Sequence, residues 1–397
     1  MKATSRIAGP KVKNLARRDF IKIVSLVSSA AGLSAFLDAC QRFQFPPDKS
    51  PAAATTAPPP TLSVTEENYA SAPSQTPAEI NPMEPPTQNP SPKIAEPSAK
   101  IALVKTGNRA AGIRQAMEML GLFPIAEQHV FLKPNYNSSD PAPGSTHPET
   151  LHALIQKLQA MGAASITVGD RSGMGNTRRV FEKLGIFEQA VELGFSTIIL
   201  DELAADDWVS FNVPGSHWRQ GFPVPRFVLE SKAVVQTCCL KTHRYGGHFT
   251  LSLKNSVGLV AKKVPGDNYD YMNELHDSPD QRLMIAEINA AYQPAVVLLD
   301  AVDGFVTGGP DQGKLVHPGL ILAGMDRIAI DAVGVAILRT FGTTSEVSRG
   351  PIFKLEQIAR AVELGLGITN ASQIELLTSD KQSKTASAII LETLNQS

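Results

Sequence analysis

From residue 101 onward, short apolar runs alternate with stretches whose apolar residues recur at helical spacing, and this alternation is the strongest constraint on the fold. Ile101–Val104 reads as a first strand and Ala111–Leu120 as a helix. His129–Leu132 is a second strand, Glu149–Met161 an amphipathic helix and Ser165–Val168 a third strand. A helix over Thr177–Leu184, another short helix and a strand at Thr197–Leu200 continue the series. Repetition of strand, helix and strand predicts an α/β fold with a mostly parallel, doubly wound sheet. Trp208–Arg226 is strand-like but broken by Pro and Gly, which predicts an excursion or hairpin. Ala233–Leu240 has the pattern of a buried strand and runs into Lys241-Thr242-His243. Helices over Leu251–Val260 and Gln281–Ala291, strands at Ala295–Leu299 and Leu320–Ala323, and helices over Arg327–Thr340 and Ile352–Leu364 complete the expected order, the last being the final long helix.

Ligands of open α/β sheets bind beyond the carboxyl ends of the strands. Polar clusters stand at four such ends: Lys133 with Asn135, Asp170, Lys241 with His243, and Asp300 with Asp303. Together they predict one shared site. The densest stretch is Lys241-Thr242-His243-Arg244-Tyr245-Gly246-Gly247-His248, followed by Leu253-Lys254-Asn255-Ser256-Val257-Gly258. Its Gly-Gly pair lets the backbone approach a ligand closely or offer amides to an anion. A solvated loop is the plainer account of the same residues. Lysine stabilises developing negative charge and imidazole titrates near neutral pH, so His243, Lys241 and Lys254 are the acid–base candidates beside a carboxylate or phosphate. Lys133, Asn135, Asp170, Asn255, Gly308, Gly309, Asp326 and Asp331 are the substrate-binding candidates.

His243, His248, His276, Asp300 and Asp303 offer mixed nitrogen and oxygen ligands for a divalent metal, although no His-x-x-x-His helix pair is present. Asp326 also fits a helix N-cap. Asp331 is the only charge in Ile328–Leu338, which is apolar on nearly every face, so its carboxylate needs a partner. Arg327 four residues earlier and a lysine of the shared site are the two options. Successive strand residues point to opposite faces, so Cys238 and Cys239 read as inert packing. Phosphate-loop, dinucleotide-binding and nucleophile-elbow spacings are missing.

The first hundred residues have a different texture. Residues 1–40 carry seven Lys/Arg against two Asp, and residues 41–100 hold 14 of the 29 prolines. Net charge over the whole chain is −1, so the remainder is lightly acidic, and no basic stripe suits nucleic acid. Three cysteines supply no iron–sulfur ligand set, so no such cluster is expected. Arg17-Arg18-Asp19-Phe20-Ile21-Lys22 precedes an uncharged run, Ile23–Leu37, of signal-peptide length. The string resembles the bacterial twin-arginine export signal, with Ala16 where Ser or Thr is usual, and implies the twin-arginine machinery as a partner. Leu37-Asp38-Ala39-Cys40 resembles the lipobox at which bacterial lipoproteins are acylated, with Asp38 in place of a small residue. These features divide the chain into a signal (residues 1–40), a disordered Pro-rich tether (41–100) and an α/β domain (101–397). The expected location is extracytoplasmic and membrane-anchored, periplasmic or on the outer face of the cytoplasmic membrane, held by an N-terminal lipid at Cys40 or an uncleaved signal.

Lys133-Pro134-Asn135, Gly169-Asp170, Leu240-Lys241-Thr242-His243, Ser252 through Gly258, Asp300-Ala301, Gly308-Gly309-Pro310 and Ala323 through Asp331 occur in that order. Together they resemble the bacterial and archaeal family called domain of unknown function 362, over about residues 101–340. Members commonly carry Pro-Lys where Cys238-Cys239 stands here. Some have a cysteine-rich ferredoxin-like module that this chain lacks. The resemblance implies no established reaction. The leading expectation is an exported enzyme for a small anionic substrate. The alternatives are a non-catalytic envelope lipoprotein that binds a small anion or metal ion, and a structural envelope protein.

Overall fold

The computed structural model describes residues 98–121 and 125–396. The expectations for Arg17, Arg18, Cys40 and the Pro-rich tether lie outside the described residues. Strand β1 (Ala99–Lys105), helix α1 (Arg109–Leu120), β2 (His129–Lys133), α2 (Pro148–Ala160), β3 (Ser165–Asp170), α3 (Thr177–Lys183), α4 (Ile186–Leu193) and β4 (Ser196–Ile199) form the first half of the alternation. Next come β5 (Trp208–Phe211) and β6 (Phe222–Pro225), an antiparallel ribbon outside the main sheet, and the short α5 (Arg226–Glu230). Then follow β7 (Ala233–His243), β8 (His248–Thr250), α6 (Ser252–Asn255), α7 (Tyr271–Asp277), α8 (Gln281–Ile288), β9 (Pro294–Gly308), β10 (Gly313–Val316) and β11 (Leu320–Gly324). Helices α9 (Arg327–Thr340), α10 (Ser345–Ser348) and α11 (Glu356–Glu363), strand β12 (Ile374–Leu377) and α12 (Lys381–Asn395) end the described chain.

The main sheet runs β12-β1-β11-β9-β7-β2-β3-β4, with β10 added beside β9 and β8 beside β7. Five of the seven pairings along that path are parallel; β11 is the exception, antiparallel to both β1 and β9. This is the mostly parallel, doubly wound sheet expected from the alternation. Its two faces follow from the period-two geometry of strands. Ile101, Leu103, Val297, Leu299, Leu320 and Leu322 face α9, whose Ile328, Val333 and Ile337 are buried against them. Their neighbours Ala102, Val104, Val296, Leu298, Ile321 and Ala323 face the opposite way, onto Ile113 and Met117 of α1 and Leu151, Leu154 and Leu158 of α2. A sheet covered on both faces needs apolar side chains at every position, so its strands read as unbroken apolar runs. Asn108, Asn176 and Asp326 start α1, α3 and α9, each accepting a hydrogen bond from a first-turn amide. Among the described residues no helix is long and apolar enough to cross a membrane.

The structure corrects three expectations. The helix expected over Leu251–Val260 is α6 followed by a single 3-10 turn at Ser256–Leu259. Ser252, Asn255 and Ser256 bond sideways to Gln236, Thr237 and Asn289, which fixes this segment against β7 instead of letting it wind on. Strand β9 does not stop at Leu299 but continues to Gly308, because β7 extends beside it through a register shift after Cys239. Ile352–Leu364 is a 3-10 turn plus α11, and the last long helix is α12. Only Ser383, Ile390 and Leu394 of α12 are buried, too few to stand out from its polar exterior.

Candidate functional site

Strands β3, β2 and β7 lie side by side and parallel, so the residues that follow them emerge at one edge of the sheet. A cavity of about 400 Å³ opens there. Its walls include Lys133, Asn135, Asp170, Lys241, His243, Lys254, Asn255 and His276. Three of the four predicted polar clusters therefore converge, joined by the α6 segment.

The floor is a buried polar network. Lys133 Nζ lies 2.8 Å from Asp170 Oδ1 and also donates to Pro134 O and Asn255 Oδ1. Asp170 accepts two backbone amides as well, from Tyr136 and Arg171, each at 2.7 Å. Burial pushes Lys133 down and Asp170 up, and their mutual contact counters both shifts. Asn135 links the parts: its Nδ2 donates to Asn255 Oδ1, and its Oδ1 accepts from Lys241 Nζ at 2.9 Å. Gly258 must lack a side chain, since a Cβ there would overlap Asp170 Oδ1 and press within 2.8 Å of Lys133 Nζ.

The upper wall is cationic. Lys241 donates only to neutral oxygens, Asn135 Oδ1 and Gly144 O. Lys254 is 8% exposed, and among the described residues no hydrogen bond or ion pair holds its amine. Burial, then the charges of Lys241 and Arg171, lower its pKa to about 7. Arg171 is buried and turned to Val257 O and the Met272 sulfur, not to a carboxylate. His243 has an unpartnered, buried Nδ1, and burial followed by Lys254 and Lys241 holds its pKa well below the ordinary imidazole value. Gly247 sits between the two groups: a Cβ there would be 2.5 Å from Lys254 Cε and 3.1 Å from His243 Nδ1. His276, from α7, lines the same space, its Nδ1 2.7 Å from Met272 O.

The fourth cluster does not join. Because β9 continues past it, Asp300 sits within a strand, 2.8 Å from Arg109 Nε of α1 and 2.6 Å from Thr150 Oγ1. Asp303 binds Arg109 and His317. His248 and Gly308 line a neighbouring depression that shares His243, and Gly309 is packed against Thr242 O. The predicted metal set is thus divided among three places. Among the described residues no group of three or more His, Cys, Asp or Glu side chains is arranged to hold a metal ion.

Asp326 and Asp331 lie away from the cavity. Asp326 caps α9 and accepts a second hydrogen bond from Ile368 N. Asp331 accepts from Ser252 N and Leu253 N, at 2.7 and 3.2 Å, and so anchors the start of α6. Burial raises its pKa to about 7. Neither expected partner, Arg327 or a site lysine, bonds to it: Arg327 instead donates to Asn289 and Tyr292 O and stacks over the Tyr292 ring. Cys238 and Cys239 are buried free thiols, and burial pushes Cys239 up to about 11. Sequence reasoning passed over Arg171, Asn137, Lys262 and Thr250, which also line the cavity. For Arg171 the signal was present in its place directly after Asp170.

Fold and site together define a doubly wound α/β protein with a polar, cation-rich cavity at the carboxyl ends of its parallel strands. Residues 130–336 match the family described as domain of unknown function (DUF362), and the chain belongs to it. No curated protein sequence matches the chain. Among solved structures, the lactate racemase apoprotein from Thermoanaerobacterium thermosaccharolyticum is similar at 14% identity and a TM-score of 0.37, over 58% of this chain and 54% of that one. The chain therefore spans about half the length of that protein.

Proposed function

We propose that this protein is an exported enzyme for a small anionic substrate, a carboxylate or phosphate, handled by lysine and histidine acid–base chemistry. One observation carries the reading: Lys241 and Lys254 are buried in the wall of one cavity, and among the described residues no carboxylate pairs with either. A buried cation without a counter-charge is unfavourable, and an anionic ligand supplies the missing charge. His243, with an imidazole nitrogen unpartnered beside Lys254, is the proton carrier. Lys133, Asn135, Asp170 and Asn255 form the rigid floor that orients the ligand. The shared cavity equally supports capture without turnover.

Thermal shift with phosphate, acetate and lactate tests the anion reading. The protein should be stabilised by at least one of them, and Lys241→Met with Lys254→Met together should abolish the response. Absence of any response to small anions would remove the basis for both enzyme and binding protein. A ligand recovered unchanged after long incubation selects the binding protein. Export and anchoring rest on Arg17, Arg18 and Cys40. Replacing both arginines by Lys should leave the chain in the cytoplasm, and Cys40→Ala should release it from the membrane fraction. Unchanged fractionation of both variants would refute the anchor.

A further inference from the structure

We infer that Lys254 is a covalent nucleophile, and that the cavity takes anions bearing an aldehyde or ketone, such as 2-oxo acids, as iminium adducts on its amine. This rests on the anion reading above and adds the electrophile. Three features distinguish Lys254 from its neighbours. Lys133 donates to Asp170, Pro134 O and Asn255, and Lys241 donates to two oxygens and retains one N–H for a ligand. Among the described residues Lys254 has no acceptor to hold its amine, yet it is buried along the wall of a cavity about 400 Å³ in volume. His243 Nδ1 and the end of the Lys254 side chain, Cδ and Cε, flank the bare face of Gly247, which places an unpartnered imidazole nitrogen on the same side of the cavity as the Lys254 side chain. A pKa of about 7 keeps much of the amine neutral at physiological pH, the form that attacks a carbonyl. Lys241 remains to hold the carboxylate of a 2-oxo acid.

The chemistry balances. The Lys254 lone pair attacks the carbonyl carbon, forming the C–N bond while the C=O π pair moves to oxygen. Neutral His243 takes a proton from the attached nitrogen while water protonates the oxyanion and leaves its hydroxide to bulk solvent, where a proton neutralises it, giving a carbinolamine. The protonated imidazole returns its proton to the hydroxyl, the nitrogen lone pair expels it as water, and an iminium ion remains. Amine, carbonyl compound and one proton become iminium and water, with no oxidant or reductant.

Reductive trapping tests this. The purified protein is incubated at pH 7 with pyruvate and sodium cyanoborohydride, digested and mapped by mass spectrometry. The expected result is a reduced pyruvyl adduct on Lys254 and none on Lys133, Lys241 or Lys262. Lys254→Arg, which retains charge and bulk, should lose the adduct while still unfolding in urea as a single cooperative transition. Trapping at Lys254 should slow severalfold in His243→Asn. If pyruvate, lactate and phosphate all stabilise the protein but no adduct forms, or labelling spreads evenly over surface lysines, the iminium assignment is wrong and the anion site stands. If none of the three binds and no adduct forms, both readings fall together.

Discussion

At the scale of single residues, the cavity holds two kinds of lysine, and they respond differently to substitution. Lys133 is half of a buried ion pair, and its removal leaves Asp170 charged and enclosed. Lys133→Met or Asp170→Asn should each destabilise the fold by about 3–5 kcal/mol in urea unfolding. The double variant should lose less than the sum of the two, since no charge is then stranded. Lys254 carries the opposite sign. Its folded-state pKa, about 7, lies below the ordinary 10.5, so the unfolded chain binds more protons between those values. Stability therefore rises with pH across that window, and the penalty of the buried ammonium is complete only below pH 7. Lys254→Met should raise the urea midpoint at pH 6, by the equivalent of a few kcal/mol, and the gain should shrink toward pH 10. An equal gain at both pH values would mean the amine stays charged throughout.

Among elements, α6 decides whether there is a site at all, and Asp331 of α9 holds it from behind. Asp331→Ala would strand two buried amides and should cost about 2–4 kcal/mol by thermal or urea melts at pH 6. It should also weaken phosphate binding, because Lys254 and Asn255 ride on that turn. This arrangement shows where sequence reasoning reaches and where it stops. Strands β2, β3 and β7 and the polar residues at their ends were legible, because a sheet buried on both faces writes itself as apolar runs ended by charge. The isolation of Asp331 among apolar residues was legible too, but its partner was not. Its bonds go to backbone amides in a segment about eighty residues away, and an amide has no letter of its own in the sequence. Asp300 misled for a related reason: the strand end assumed there depends on how far β7 extends beside β9, which is a property of the pair. Strand β12 is four residues long, below the length at which periodicity carries information.

At the scale of the molecule, the cationic wall predicts a proton balance. Bound anion favours the charged form of Lys254, so above pH 7 binding must draw a proton from solution. Calorimetric titration with phosphate at pH 8, in two buffers of different ionisation enthalpy, should show net proton uptake, and affinity should fall as pH rises from 7 to 9. Proton release would place the responding group elsewhere. The order of strands has a different consequence. β1 lies between β11 and β12, with Ile101 opposite Gly324 on one side and Leu376 on the other. During synthesis β1 emerges before every other described strand of the sheet, and both its edges stay unpaired until β11 and β12 have followed. The sheet therefore closes around β1 through long-range pairings, the slow kind to form, and not through local ones.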